Sequence, residues 1–124
     1  MSDENKKIKS FTDLVTWQEG HKLVLMVYKT TENFPKKEIF GLTIQMRRCA
    51  VSITSNIAEG FSRKTAKEKN QFYSMSTGSL TELQNQLVIA RDIKYLLTEE
   101  FNKIAKQTIL VHKLICGLKK IKSG

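Results

Sequence analysis

A single proline, Pro35, stands in 124 residues, and on both sides of it apolar residues recur every three or four positions. Proline removes a backbone donor and clashes with the preceding turn, so a chain almost free of it can sustain long helices. The other breaks are short. Residues 31–39 hold Asn33 and Pro35, residues 60–65 hold Gly60 and Ser62, and residues 97–100 hold a hydroxyl cap candidate followed by two acids. Between these breaks lie four segments with helical periodicity and no alternating strand pattern. The spacing predicts helices over about 13–32, 41–59, 65–97 and 99–121. Together they form one domain over 11–122, preceded by a flexible tail over 1–10. Short connections between long helices favour neighbours that run in opposite directions, so the expected class is all-α, an antiparallel up-and-down four-helix bundle.

Each segment carries its own signals. The first aligns Leu14, Trp17, His21, Val24 and Tyr28 with Leu23 and Val27 beside them, and it ends at Asn33-Phe34-Pro35 because the residue before proline is pushed out of the helical region. The second aligns Leu42, Met46, Cys49, Ile53 and Ile57, a narrow seam suited to coiled-coil-like packing. Gly60 then sits where a glycine in the left-handed conformation would stop the helix. In the third, Thr65 followed by Glu68 matches a capping box, and Phe72, Met75, Leu80, Leu83, Leu87, Ala90, Ile93 and Leu97 continue the stripe. Thr98 is the expected cap of the fourth. That helix is apolar on two lines, one through Ile104, Val111 and Ile115 and one through Leu110, Leu114, Gly117 and Ile121. One core needs only one such line, so the second predicts self-association into a ring-like homo-oligomer.

Charge narrows the partner class. Lys and Arg number 21 against 12 acids, a formal net charge of +9. One basic cluster is Arg63, Lys64, Lys67 and Lys69; a second, in the last segment, includes Lys113, Lys119, Lys120 and Lys122. Basic segments release counterions from polyanions on binding, which makes nucleic acid the natural partner, although a solvated positive face has the same composition. The cluster at 63–69 also lies where the N–H groups of a helix N-terminus favour anions. No apolar run approaches the roughly 18 residues of a spanning helix, so no membrane role is expected. The polar opening residues lack the apolar centre of a secretory signal, which makes the cytoplasm the expected compartment and Cys49 and Cys116 free thiols.

Catalytic signals are weak. His21 and His112 have no Cys, Asp or Glu at metal-ligand spacing, and no phosphate-cradling glycine loop is present, so neither metal nor cofactor is expected and the chain reads as non-enzymatic. The informative feature is a polar line beside the second seam, Gln45, Arg48, Ser52, Asn56 and Glu59 at helical spacing, with a counterpart in Gly78, Ser79, Glu82 and Gln86 on the third helix. Facing each other, these lines would form a structural polar network or interface in which Arg47 or Arg48 pairs with Glu59 or Glu82. Gly78, costly inside a helix, would let the backbones approach. The plainer reading is a polar flank that meets water. An enzyme built on Arg48, Asn56, Glu59 and Glu82 is the weakest alternative.

Several segments in order carry a resemblance: 11–18 (FTDLVTWQ), Phe34-Pro35 with Glu38, Phe40-Gly41-Leu42, Gln45-Met46-Arg47-Arg48-Cys49-Ala50-Val51-Ser52-Ile53, Asn56-Ile57-Ala58-Glu59-Gly60, and Gly78-Ser79 with Glu82. The chain resembles the bacterial four-helix bundle proteins first recognised as reading frames inside intervening sequences of 23S ribosomal RNA genes. The resemblance implies an antiparallel bundle that assembles into a homopentamer. The family is also similar to the accessory proteins of diversity-generating retroelements, basic pentameric bundles that bind nucleic acid and a reverse transcriptase. The expectation is therefore a non-enzymatic oligomer that binds RNA or other nucleic acid non-specifically through its basic surfaces. The alternative is a scaffold for an acidic protein partner such as a polymerase.

Overall fold

The computed structural model describes residues 7–123, with side chains described as far as residue 119. Four helices form a bundle: α1 (Val15–Thr31), α2 (Leu42–Ser62), α3 (Ala66–Asp92) and α4 (Thr98–Ser123). Among the described residues there is no strand, and no helix is long and apolar enough to cross a membrane. Each helix packs on its neighbours in sequence, and α4 returns to α1.

The first helix begins later than its periodicity suggests. Ser10 caps a 3-10 turn (Phe11–Asp13), and Asp13 Oδ2 accepts the N–H groups of Lys9 and Ser10 at 2.9 and 3.1 Å. Leu14 is then extended, and α1 starts at Val15. Residues 9 and 10, read as tail, are thus tied to the domain; residues 1–6 lie outside the described residues. The buried face of α1 is also rotated from the expected line. Leu14 and Val24 are buried, but His21 and Tyr28 are exposed, and the core receives Gly20, Leu23, Val27 and Thr31. Small size explains the rotation. A Cβ on Gly20 would lie 3.0 Å from Thr54 Cγ2, so α2 approaches α1 over the one residue without a side chain.

Gly60 does not end α2. It lies inside the helix, which continues to Ser62, and no described glycine has positive φ. A Cβ there would stand 2.6 Å from the ring of Tyr73 and 3.2 Å from the Lys69 carbonyl oxygen. Glycine at this position makes room for a fully buried tyrosine rather than for a left-handed turn. The expected seam of α2 holds: Met46, Cys49, Ile53 and Ile57 are buried and Leu42 packs partly against them.

Thr65 caps α3 as expected, its hydroxyl accepting the Glu68 N–H at 3.1 Å. The helix stops at Asp92, five residues early. Lys94 takes φ 71°, its N–H bonds the Arg91 carbonyl, and the Tyr95 N–H bonds Ala90 at 2.9 Å, a Schellman closure with lysine where glycine is usual. A left-handed lysine costs roughly 1–2 kcal/mol. Packing offsets it: Leu96 is buried, the Tyr95 ring lies 5.3 Å from Phe34, and its hydroxyl donates to Glu38 at 2.8 Å. Met75, Ile93 and Leu97, counted on the apolar line, are exposed. Leu97, not Thr98, occupies the cap of α4; its N–H donates to Glu100 Oε1 and its carbonyl accepts from Phe101.

Candidate nucleic-acid interface and polar seam

The basic cluster at the α2–α3 turn divides into two pairs. Arg63 ends α2, donates to Glu59 Oε2 at 2.6 Å and lies 4.7 Å over the Phe72 ring. Lys69 reaches back from the first turns of α3 and donates to the carbonyls of Phe61 at 2.7 Å and Gly60 at 3.4 Å. Terminal carbonyls of a helix lack partners and carry partial negative charge, so an ammonium there stabilises the helix end. Arg63 and Lys69 are therefore engaged within the fold. Lys64 and Lys67 are exposed with no ion pair among the described residues. The N-terminus of α3 is less open to anions than its position suggests, because Thr65 caps it and Glu68 occupies its first turn. On α4, Lys113 is exposed and Lys119 half-buried, whereas the side chains of Lys120 and Lys122 lie outside the described residues.

The polar lines of α2 and α3 do meet, through hydroxyls rather than ion pairs. Ser52 and Ser79 share a hydrogen bond of 2.9 Å, Asn56 Nδ2 donates to the Ser52 carbonyl at 2.9 Å, and the Cys49 thiol donates to the Ser79 carbonyl at 2.9 Å. One turn away, Ser76 donates to the Ile53 carbonyl at 2.7 Å. Burial, and then the negative charge of Glu82, pushes the Cys49 thiol up to about 12, which keeps it protonated and unreactive. Gln86 is buried, donates to Glu82 at 3.4 Å, and leaves its carbonyl oxygen without a partner. Gln45, Arg48, Glu59 and Glu82 stay exposed.

Three expectations about this seam are corrected. Glu59 pairs with Arg63 of its own helix, not with Arg47 or Arg48, since four residues along a helix is a shorter reach than the next element. Arg47 turns the other way: its Nε donates to Thr31 Oγ1 at 2.8 Å, Nη2 to the Tyr28 carbonyl at 3.3 Å, and its guanidinium lies 4.7 Å over the Tyr28 ring. It thus serves the end of α1 as Lys69 serves the end of α2. Gly78, assigned a close approach, is exposed and a Cβ there meets nothing within 4 Å. The close approaches are at Gly20 and Gly60, where the facing residue, not the glycine's own helix, sets the need.

Sequence reasoning did not single out the hollow between α1 and α2. Tyr28, Ile44, Arg47, Arg48, Val51, Ser52 and Ser55 line it, and its volume is about 330 Å³. Asn56, Glu59 and Glu82 are not among the residues lining it, so the groups of the weakest, enzymatic alternative do not converge there. A second cleft of about 470 Å³ runs between α1 and α4, with Lys29, Glu99, Glu100 and Lys103 around it. There the Thr30 hydroxyl donates to Glu100 at 3.1 Å. His21 is exposed and stacks on Trp17 with centroids 4.7 Å apart, and His112 Nδ1 lies 3.9 Å from the Cys116 thiol four residues on, a Cys at helical spacing that the sequence expectation did not count. Among the described residues no group of His, Cys, Asp and Glu could hold a metal.

A helical bundle with a hydroxyl-linked α2–α3 pair and several exposed cations that have no ion pair among the described residues is the class that the fold and site define. The family model described as 23S rRNA-intervening sequence protein matches residues 12–117, and the chain belongs to that family. A solved structure from Bacteroides thetaiotaomicron, a protein of unknown function from the S23 ribosomal protein family, is similar at a TM-score of 0.76 and 18% identity. That match covers 86% of this chain and 99% of the other. No curated protein matches.

Proposed function

We propose that this chain is a non-enzymatic, cytoplasmic, oligomeric bundle that binds RNA or other nucleic acid non-specifically, with RNA the expected partner, through phosphate contacts and without a base code. The observation that carries the reading is uncompensated positive charge: Lys64, Lys67, Arg48 and Lys113 are exposed and none has a carboxylate within ion-pair distance among the described residues. Antiparallel packing is supported by pairs whose numbers run in opposite senses, Thr16 with Leu114 and Thr30 with Glu100 on α1 and α4, Ser52 with Ser79 and Gly60 with Tyr73 on α2 and α3. Self-association is supported by exposed Leu110 on the second apolar line of α4, with Ile109, which is on neither line, exposed beside it; light scattering tests it, with a homopentamer expected from the family resemblance. In a pentamer the formal charge is 5 × 9 = +45, enough to draw polyanions from a distance.

Binding of a labelled RNA followed by fluorescence anisotropy across salt concentrations tests the function. Affinity falls steeply with salt and varies little with sequence. The double variant Lys64→Gln/Lys67→Gln weakens binding and flattens the salt slope by about two. Affinity indifferent to salt sinks the reading.

A second reading, a scaffold for an acidic protein partner, is favoured by one end of the bundle. Phe40 is 92% exposed and Leu97 71% exposed, and Lys36, Lys37 and Lys94 are exposed nearby in sequence on the same two connections, which Tyr95 and Glu38 join. An affinity pull-down separates the readings: bound material lost on nuclease treatment supports the first, and a protein retained by wild type but not by Phe40→Ser supports the second.

A further inference from the structure

We infer that the hollow between α1 and α2 is an oxyanion seat that takes a phosphate group of a bound polynucleotide strand. The inference rests on the nucleic-acid reading for the source of the phosphate, while the seat itself rests on its own geometry. Two neighbouring arginines, Arg47 and Arg48, line one hollow, and neither has a carboxylate within 4.0 Å among the described residues. Elsewhere in the chain Arg63 meets an acid four positions away, Glu59, whereas the charge of Arg47 and Arg48 stays uncompensated among the described residues.

Arg47 is also held in place before any ligand arrives. Thr31 fixes Nε, the Tyr28 carbonyl fixes Nη2 and the Tyr28 ring lies against the guanidinium plane. Thr31 is itself buried and tied by its hydroxyl to the Val27 carbonyl at 2.8 Å. A pre-oriented guanidinium loses little rotamer freedom on binding, and its remaining N–H donors form a fork. Arg48 is exposed and has no hydrogen bond among the described residues, so it can close over a ligand as the second charge. Ser55, exposed and likewise unbonded among the described residues, supplies a hydroxyl, whereas Ser52 lines the hollow but is occupied by Ser79 and Asn56.

Phosphate fits this set better than carboxylate does. A planar carboxylate is satisfied by one fork, whereas the several oxygens of a tetrahedral phosphate can accept from two guanidiniums at once, with the Ser55 hydroxyl further along the same hollow. The volume, about 330 Å³, is at the small end of the roughly 300–1,000 Å³ of small-molecule sites, room for one group of a larger ligand rather than a whole nucleotide chain.

The seat is tested first without nucleic acid. Thermal unfolding of the full chain is followed with inorganic pyrophosphate and with sodium chloride at matched ionic strength. At tenfold excess over Kd, pyrophosphate raises the Tm of wild type by roughly 5 °C. The Lys64→Gln/Lys67→Gln variant keeps the shift, Arg48→Gln loses it, and Ser55→Ala reduces it. No specific shift in wild type, or a full shift in Arg48→Gln, overturns the seat whatever RNA does. Anisotropy with an oligouridine of about 20 nucleotides then tests the source. Arg48→Gln weakens binding roughly fivefold and lowers the salt slope by about one for each seat engaged. RNA binding unchanged in Arg48→Gln, with the pyrophosphate shift lost, overturns the polynucleotide source. Wild type that takes pyrophosphate but no RNA overturns the nucleic-acid reading and leaves the seat standing.

Discussion

The α2–α3 pair and the α1–α4 pair are built from helices of similar pattern, yet they are joined differently. Between α2 and α3 the contacts are short-range: a glycine against a tyrosine ring, paired serine hydroxyls, a thiol and a serine on backbone carbonyls. Between α1 and α4 one hydroxyl, Thr16, reaches a backbone carbonyl, that of Leu114, at a long 3.5 Å, and the other contacts use longer polar side chains. Gln107 donates to the carbonyl and carboxylate of Glu19, at 2.9 and 3.0 Å, and Thr30 donates to Glu100. The first arrangement demands small residues at fixed places, while the second tolerates a wider gap and leaves a cleft. Small residues at a contact, more than apolar content, decide how close two helices come.

The largest effect falls on the close pair. Gly60→Val puts a branched side chain where even a Cβ would stand 2.6 Å from the Tyr73 ring, and such overpacking costs about 3 kcal/mol, read from urea unfolding. A change below about 1 kcal/mol would mean that the Tyr73 ring moves freely. On the wide pair, Gln107→Ala removes two hydrogen bonds to Glu19 at a cost of about 1 kcal/mol, leaving the close pair intact by hydrogen exchange.

Gly78 sharpens the contrast by reversing sign. With nothing near its Cβ position, Gly78→Ala stabilises the chain by about 0.5–1 kcal/mol through helix propensity. A loss of stability instead would place a second copy against this face. The smallest effect is pH-dependent. The N–H of Leu42 and then the Tyr95 hydroxyl hold the Glu38 carboxyl below its ordinary range. A depressed carboxyl contributes stability above its unfolded pKa and loses it as pH falls through the folded value. Acid unfolding of Glu38→Gln should therefore show a shallower loss of stability on the acid side of the ordinary carboxylate range than wild type, and identical profiles would show that the carboxylate contributes nothing.

Much of this architecture was legible in residue order. The α2 seam, the Thr65 cap and the turn at Pro35 are local, since each depends on residues within a turn or two. The early end of α3 was not, because its left-handed residue is Lys94 and the compensation comes from Phe34 and Glu38, far away in sequence. The candidate site was legible in part. The clustering of charge at 63–69 was visible, but not that Arg63 and Lys69 are engaged within the fold, nor that Arg47 and Arg48 share a hollow.

By itself the amino-acid order determined four helices, their family and an excess of positive charge, because periodicity, capping and composition act over a few residues or over none. Only the tertiary structure decided which glycines carry a contact and which cations remain free. Those outcomes depend on what a neighbouring helix places opposite, and the carbonyls at the ends of α1 and α2 claimed Arg47 and Lys69 from outside their own helices.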